Sequence, residues 1–326
     1  MNRPSVKMFL LFTVIIMVVF LPTLIRDPYY LDIMIMVAFN SILALTWRTI
    51  MRIWQLSFGH AAFIGIGAYT SALIVMKLGV SFWLALPISG IVSAVISLLI
   101  GFTTLRLKGM FFAITTWAFN EIMRSAYLIF KNPFGGATGL YGIPAPYHIY
   151  FYGLPLFSFD NKQAYCYLAF LLLSATVLVL LRIENSRMGM LFDAIRVDDN
   201  LAESIGISLM RYKCVAFAIA CFFAGIAGSF YAHYISFISP YSFELTLSVD
   251  AIVFSMVGGL ASIMGPLIGA GVLTILSNLL HATGFFKMII FSIFLVLVVL
   301  FLPDGIISVP QRTKMLLARI SKKGMD

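Results

Sequence analysis

Two stretches of this chain place hydrogen-bonding side chains among apolar neighbours. QLSFGHAAFIGIGAY, Gln55 to Tyr69, sets Gln55, Ser57, Phe58, Gly59 and His60 at the mouth of an apolar helix dotted with Gly65 and Gly67. RLKGMFFAITTWAFNEIMR, Arg106 to Arg124, carries Thr115, Thr116, Asn120, Glu121 and Arg124 within a second apolar run. Such groups suit recognition of a polar solute. A helix start leaves its first N–H groups unpaired and its positive dipole end exposed, which suits a carboxylate. His60 has no acidic or cysteine partner at ligand spacing, so it takes a structural or path-lining role and no metal site is expected. The sequence contains no G-x-x-x-x-G-K-[ST] loop, no G-x-S-x-G and no H-E-x-x-H. It therefore offers no nucleotide site and no hydrolytic centre of its own.

The elements that hold these residues are membrane helices. Of 326 residues 61% are hydrophobic and only 11% charged, against about 25% charged in soluble domains. The apolar runs have spanning length, about 20 residues for a helix, and short alternating strands are missing, so the expected class is an all-α polytopic bundle. Windows fall near 8–25, 31–47, 58–76, 82–104, 110–130, 164–181, 213–235, 249–262, 265–281 and 287–302, about ten segments in one domain over 1–326. The first follows Arg3 and Lys7 but has no small-x-small cleavage site, so it reads as a retained helix. Gly258, Gly259, Gly265 and Pro266 interrupt 249–281, which is one bent helix or two short ones. Cys166, Cys214 and Cys221 lie in or beside apolar runs and read as buried small hydrophobes.

Basic clusters orient the chain, since cytoplasmic loops collect Lys and Arg. Arg3 and Lys7, Arg48 and Arg52, Arg106 and Lys108, and the 182–213 segment fall on one side at every second crossing when the N-terminus is inside. The tail cluster of Arg312, Lys314, Arg319, Lys322 and Lys323 joins them only if three segments separate Tyr234 from Pro303, which favours two crossings or half-helices in 249–281. The net charge of +9 then reflects loops beside anionic lipid and calls for no nucleic acid. Segment 131–163, rich in Gly, Pro and aromatics, falls outside as a capping or docking surface. Asp32 and Asp250 each begin a span at the outer side and read as solvated caps, while Glu121 and Arg124, three apart, are placed to pair.

From Arg187 to Val197 the residues Met188, Leu191, Phe192 and Ile195 form a helical stripe. Asn200 with Glu203 resembles a capping box for a second short helix, Leu201 to Ile205, which Gly206 ends. Pattern alone leaves two readings open, a compact plug for a partner or an interfacial loop lying on lipid.

SRMGMLFDAIRVDDNLAESIGISLMRYKCVAFAIACFFAGIAGSFYA, Ser186 to Ala232, resembles the cytoplasmic loop and following helix of the M-type permease subunits of branched-chain amino acid ABC importers. QLSFGHAAF, RLKGMFFAITTWAFNEIMR, GGATGLYGIP, GGLASIMGPLIGA and LFLPDGI belong to the same pattern and extend it over most of Gln55 to Ile306. The resemblance implies that Arg187, Gly189, Ala194, Ile195, Arg196, Ala202, Glu203, Ser204 and Gly206 couple to an ATP-hydrolysing subunit. It also implies an inner-membrane assembly with a second homologous permease, two ATPase subunits that hold ATP and Mg, and an extracytoplasmic solute-binding protein; this chain itself would hold no cofactor. One departure stands out: Met51 and Trp54 in WRTIMRIWQ replace the family's small turn residues, a bulk expected at the cavity wall. The alternative function is an ion-coupled transporter or channel acting alone, which would favour carboxylates at mid-membrane.

Overall fold

The computed structural model describes residues 27–308 except 148, 152, 153, 158, 160, 285, 303 and 304. The expected first span, 8–25, and the basic tail after Pro303 lie outside the described residues.

Asp27 opens the bundle: its carboxylate accepts the Tyr29 N–H, and Pro28 fills a position where no N–H is required. Helices follow as α1 Pro28–Met51, α2 His60–Leu78, α3 Phe82–Thr104, α4 Met110–Ile129, α5 Lys162–Glu184, α6 Arg187–Val197, α7 Asp199–Ser204, α8 Leu209–Ile235, α9 Leu245–Gly258, α10 Met264–Leu279 and α11 Phe286–Phe301. Every expected window after the first falls on one of them. Six helical runs among the described residues are long and apolar enough to cross a membrane, the sixth being Pro240–Gly258, and shorter apolar helices lie in 264–279 and 289–298. Four short strands accompany them: β1 Leu140–Tyr141 pairs antiparallel with β4 Phe237–Ile238, and β2 Ile149–Phe151 with β3 Leu154–Phe157.

Helix α1 is apolar on all sides because it stands among α5, α8, α9 and α10. A second group packs α8 against α2 and α3. Lipid supplies no hydrophobic force between helices, so close backbone approach and dispersion hold them together. Gly67 serves this purpose: a Cβ there would lie 2.1 Å from the Gly225 carbonyl oxygen on α8. Gly65 instead faces the Phe243 ring.

The 249–281 stretch is two helices, α9 and α10, packed antiparallel. A Cβ on Gly258 would come within 1.9 Å of the Gly265 oxygen, and one on Gly269 within 2.0 Å of the Phe254 oxygen. Gly259, at φ 105°, makes the bend between them. Three helices thus separate Tyr234 from Pro303, the number that charge parity requires. Cys166 and Cys221 are buried and Cys214 is partly so.

Candidate translocation path and coupling surface

Between α1 and α2 the backbone is irregular from 52 to 59, so α2 starts at His60 and not at the expected 55 to 58. The reason lies in remote side chains that satisfy this segment without helical bonds. Phe58 N–H donates to Thr116 Oγ1 at 3.1 Å, Gly59 N–H to Ser57 Oγ at 3.3 Å, and Ala61 N–H to Ser248 Oγ at 2.8 Å. The Trp47 indole N–H holds the Ser57 carbonyl at 2.9 Å. Gly59 is required, since a Cβ there would lie 2.6 Å from the Thr116 backbone carbonyl oxygen. Three N–H groups at this helix start, those of Phe58, Gly59 and Ala61, are therefore occupied by hydroxyl oxygens, and Ala62 N–H goes to the Gly59 carbonyl. Among the buried side-chain atoms left without a hydrogen-bond partner are three acceptors near this junction, Gln55 Oε1, His60 Nδ1 and Asn120 Oδ1.

The structure thus joins Ser57, Phe58, Gly59 and Thr116, and adds Ser248, which the sequence did not single out. Gln55 reaches the Leu107 carbonyl and Asn120 the Phe243 carbonyl, each at 3.4 Å. His60 is fully buried with Nε2 2.8 Å from Thr46 Oγ1, whose own proton goes to a carbonyl one turn back. That leaves His60 Nε2 as the donor and Nδ1 as the orphan acceptor. Thr115 lies apart, half-buried, with its hydroxyl on Phe111 O at 2.7 Å.

An apolar groove of about 200 Å³ runs beside this junction, lined by Phe58, Met110, Ala113, Ile114, Trp117 and Leu245. Its α4 wall has little cover: Met110, Phe111, Ile114 and Trp117 are all exposed. Farther along α4, Arg124 meets Glu121 at 2.8 Å, the expected pair.

Met51 and Trp54 do not line the groove of Phe58 and Trp117. They line a small cleft with Arg48, Arg52, Arg196 and Leu260, and Trp54 is 62% exposed with φ at 55°, a left-handed conformation that favours glycine.

At the opposite end of the bundle His233, unnoticed in the sequence, ties three elements. Ser229 Oγ donates to Ser71 Oγ at 2.7 Å, Ser71 meets His233 Nε2 at 3.0 Å, and His233 Nδ1 meets the Pro144 carbonyl at 2.7 Å. Asp32 and Asp250 keep solvent exposure, as expected, but neither caps a helix: Asp27 and Glu244 hold those positions. Asp32 sits in the second turn of α1, bound by Lys162 and the Tyr234 hydroxyl. Asp250 lies inside α9, on a cavity of about 730 Å³ shared with Asn40, Thr274 and Lys287.

Helices α6 and α7 close the end where α1 finishes. Ser186 caps α6, and Asp198, not Asn200, caps α7 by accepting the Asn200 and Leu201 N–H groups. Gly206 follows at φ 87°. Of the coupling candidates, Gly189, Ile195 and Ala202 are buried against the bundle and Ala194 is partly so; Arg187, Arg196, Glu203, Ser204 and Gly206 are exposed. Met190, Val197, Leu201 and Ile205 add exposed apolar side chains, 61% to 83% accessible. Their signal in the sequence is apolar character off the buried stripe. Lys213 and Lys108 hold Asp199 at 2.7 and 3.4 Å, fixing α7 to α8 and to the α3–α4 turn.

Residues 29–302 match the family described as branched-chain amino acid transport system / permease component. Two relatives are the high-affinity branched-chain amino acid transport system permease proteins LivM of Salmonella typhimurium (strain LT2) and Escherichia coli (strain K12), each 31% identical over 266 residues, 76% of this chain. The match spans 63% of the length of those relatives. The high-affinity branched-chain amino acid transport system permease protein LivH of Salmonella typhimurium is 31% identical over 135 residues, 40% of this chain and 43% of its own. No solved structure matches the chain.

Proposed function

We propose, from the premise that this chain belongs to the branched-chain amino acid transport system permease family, that it is the multi-pass permease subunit of an ATP-driven importer in a bacterial or archaeal inner membrane. Its solute is a branched-chain or related amino acid, by analogy with the named relatives. The solute path follows the groove of Phe58, Met110, Trp117 and Leu245 past Ser57, Gly59 and Thr116, with Gln55, His60 and Asn120 along it and Thr115 outside it. A second homologous permease covers the exposed α4 wall. The observation that carries the coupling half is the apolar surface of Met190, Val197, Leu201 and Ile205, rimmed by Arg187, Arg196 and Glu203. Such a mixed patch suits a protein cleft, here an ATPase subunit that holds ATP and Mg. A solute-binding protein docks at the 131–163 end and delivers the amino acid. The test is copurification with an ATPase and uptake in vesicles: uptake that needs ATP inside supports the reading.

One observation favours a second reading. Asp250 is exposed, has no hydrogen bond or ion pair among the described residues, and lines an open cavity beside Asn40 and Thr274, where a coupling carboxylate would meet an entering ion. Uptake driven by an ion gradient without ATP, and abolished in Asp250→Asn, would replace the first reading with this one.

A further inference from the structure

Two arginines end α1 where the chain leaves helix, and neither reaches solvent: the Arg48 and Arg52 side chains are 5% and 10% exposed. Arg52 lies between two helices. Its Nε and Nη2 hold both carboxylate oxygens of Asp193 on α6, at 3.2 and 2.6 Å, and its Nη1 is 3.3 Å from Glu184 at the end of α5. Arg48 binds the same Glu184 oxygen and turns its Nε to the Leu260 carbonyl at 2.9 Å, in the bend between α9 and α10. Two guanidinium groups and two carboxylates thus balance in charge, and the paired, two-point contact on Asp193 fixes direction as well as distance. α6 therefore touches the end of α1 through a rigid fork.

We propose that Arg52 and Arg48 are positioning residues that carry displacement of the coupling helix α6 to the solute path. This rests on the reading of the chain as an ATP-driven permease and names the parts that link its two ends. One branch runs from Asp193 through Arg52 into the irregular 52–59 segment and so to Gly59 and the start of α2. The other runs through Glu184 and Arg48 to Leu260, up α9 and across the Ser248 to Ala61 bond to the same helix start. Both branches converge on the wall of the groove. An anchor that merely fixed α6 would need no second arginine directed at the α9–α10 bend.

The test uses the complete importer with Asp193→Asn, Arg52→Gln and the double variant, reading subunit copurification, uptake and ATP hydrolysis on the same preparation. The expected result is intact assembly with ATP consumed per solute imported raised about tenfold or more in each single variant, and in the double no further than in Arg52→Gln, which already removes the Asp193 contact together with the one to Glu184. Asp193 is 53% exposed, so its variant carries the test even where Arg52→Gln fails to fold. An unchanged ratio, with uptake falling only as abundance falls, overturns the link, and so does loss of the ATPase from the complex, which would make Asp193 a docking residue. Failure of the wild-type chain to bind an ATPase would instead sink the underlying reading.

Discussion

Gly59→Ala and Gly67→Ala insert the same methyl group at two close contacts, and the difference between them separates a path residue from a packing residue. At Gly59 the new Cβ meets the Thr116 oxygen at 2.6 Å, roughly 0.8 Å short of ordinary van der Waals contact at 3.4 Å. At Gly67 it meets the Gly225 oxygen at 2.1 Å, roughly 1.3 Å short. Overpacking of this kind costs about 1–3 kcal/mol. Relief at Gly59 moves the 57–59 backbone off α4 and stretches the 3.1 Å Phe58 bond to Thr116 beyond hydrogen-bonding range, leaving a buried N–H that adds about 1–3 kcal/mol. Even 1–2 kcal/mol shifts a two-state population by a factor of about 5–30. Gly59→Ala is therefore expected to lower uptake per folded transporter at least about fivefold. Gly67→Ala separates α2 from α8 away from the groove, so it should lower folded abundance and melting temperature more, with uptake per folded molecule near wild type. Uptake in vesicles, normalised to the monodisperse fraction, measures both. Equal specific activity in the two variants would refute the path assignment and leave Gly59 as packing alone.

Ile205→Asp and Leu201→Asp alter exposed positions, so insertion should be normal while ATPase copurification is lost; retained copurification would remove α7 from the coupling surface. His233→Phe keeps the ring volume but strips bonds from Ser71 and Pro144, a loss of about 1–3 kcal/mol for each buried group left unpaired; a lowered melting temperature with faster hydrogen exchange in 136–147 is expected, and unchanged exchange there would show that the chain through His233 anchors nothing. In a background lacking Cys166, Cys214 and Cys221, an impermeant thiol reagent on intact cells should label cysteine at Tyr147 and spare cysteine at Glu203; the reverse pattern would invert the proposed orientation.

Among the described residues helix places were legible because membrane helices are long and uniform, and the split of 249–281 into two helices agrees with the three segments that charge parity asked for after Tyr234. The start of α2 was not. Its position depends on Thr116 and Ser248, 58 and 187 residues away from the N–H groups they bind, and no local pattern records such partners. At α7 both Asp198 and Asn200 have cap chemistry; Asp198 wins because its extended backbone turns the carboxylate onto two N–H groups at once. The stripe of Phe192 and Ile195 marked the buried face of α6 correctly, yet the same stripe drew attention away from Val197, Leu201 and Ile205, which face outward. Family resemblance pointed to the segment, and only the packing separates residues that hold it in place from residues free to meet a partner.

The junction at the groove also bears on how an amino acid could pass without being held. α2 begins at His60 and α9 at Leu245, and the Ala61 to Ser248 bond brings these two starts together. Two positive dipole ends meeting in a medium of low dielectric repel, and the two ends are offset differently. α9 has Glu244 at its N-cap, an acid of its own, whereas α2 has no acidic residue in its first turn. Its compensation comes from three neutral oxygens, on Ser57, Thr116 and Ser248. A carboxylate arriving at α2 would therefore exchange these hydroxyl bonds for charge-assisted ones, which are roughly twice as strong. It must also displace the hydroxyls, so the net gain is the difference and not the whole. That difference is what a path requires, since a solute must bind well enough to enter and weakly enough to leave. On the proposed path, an open set of N–H groups would make a trap, whereas hydroxyl caps on Phe58, Gly59 and Ala61 would make a stepping point.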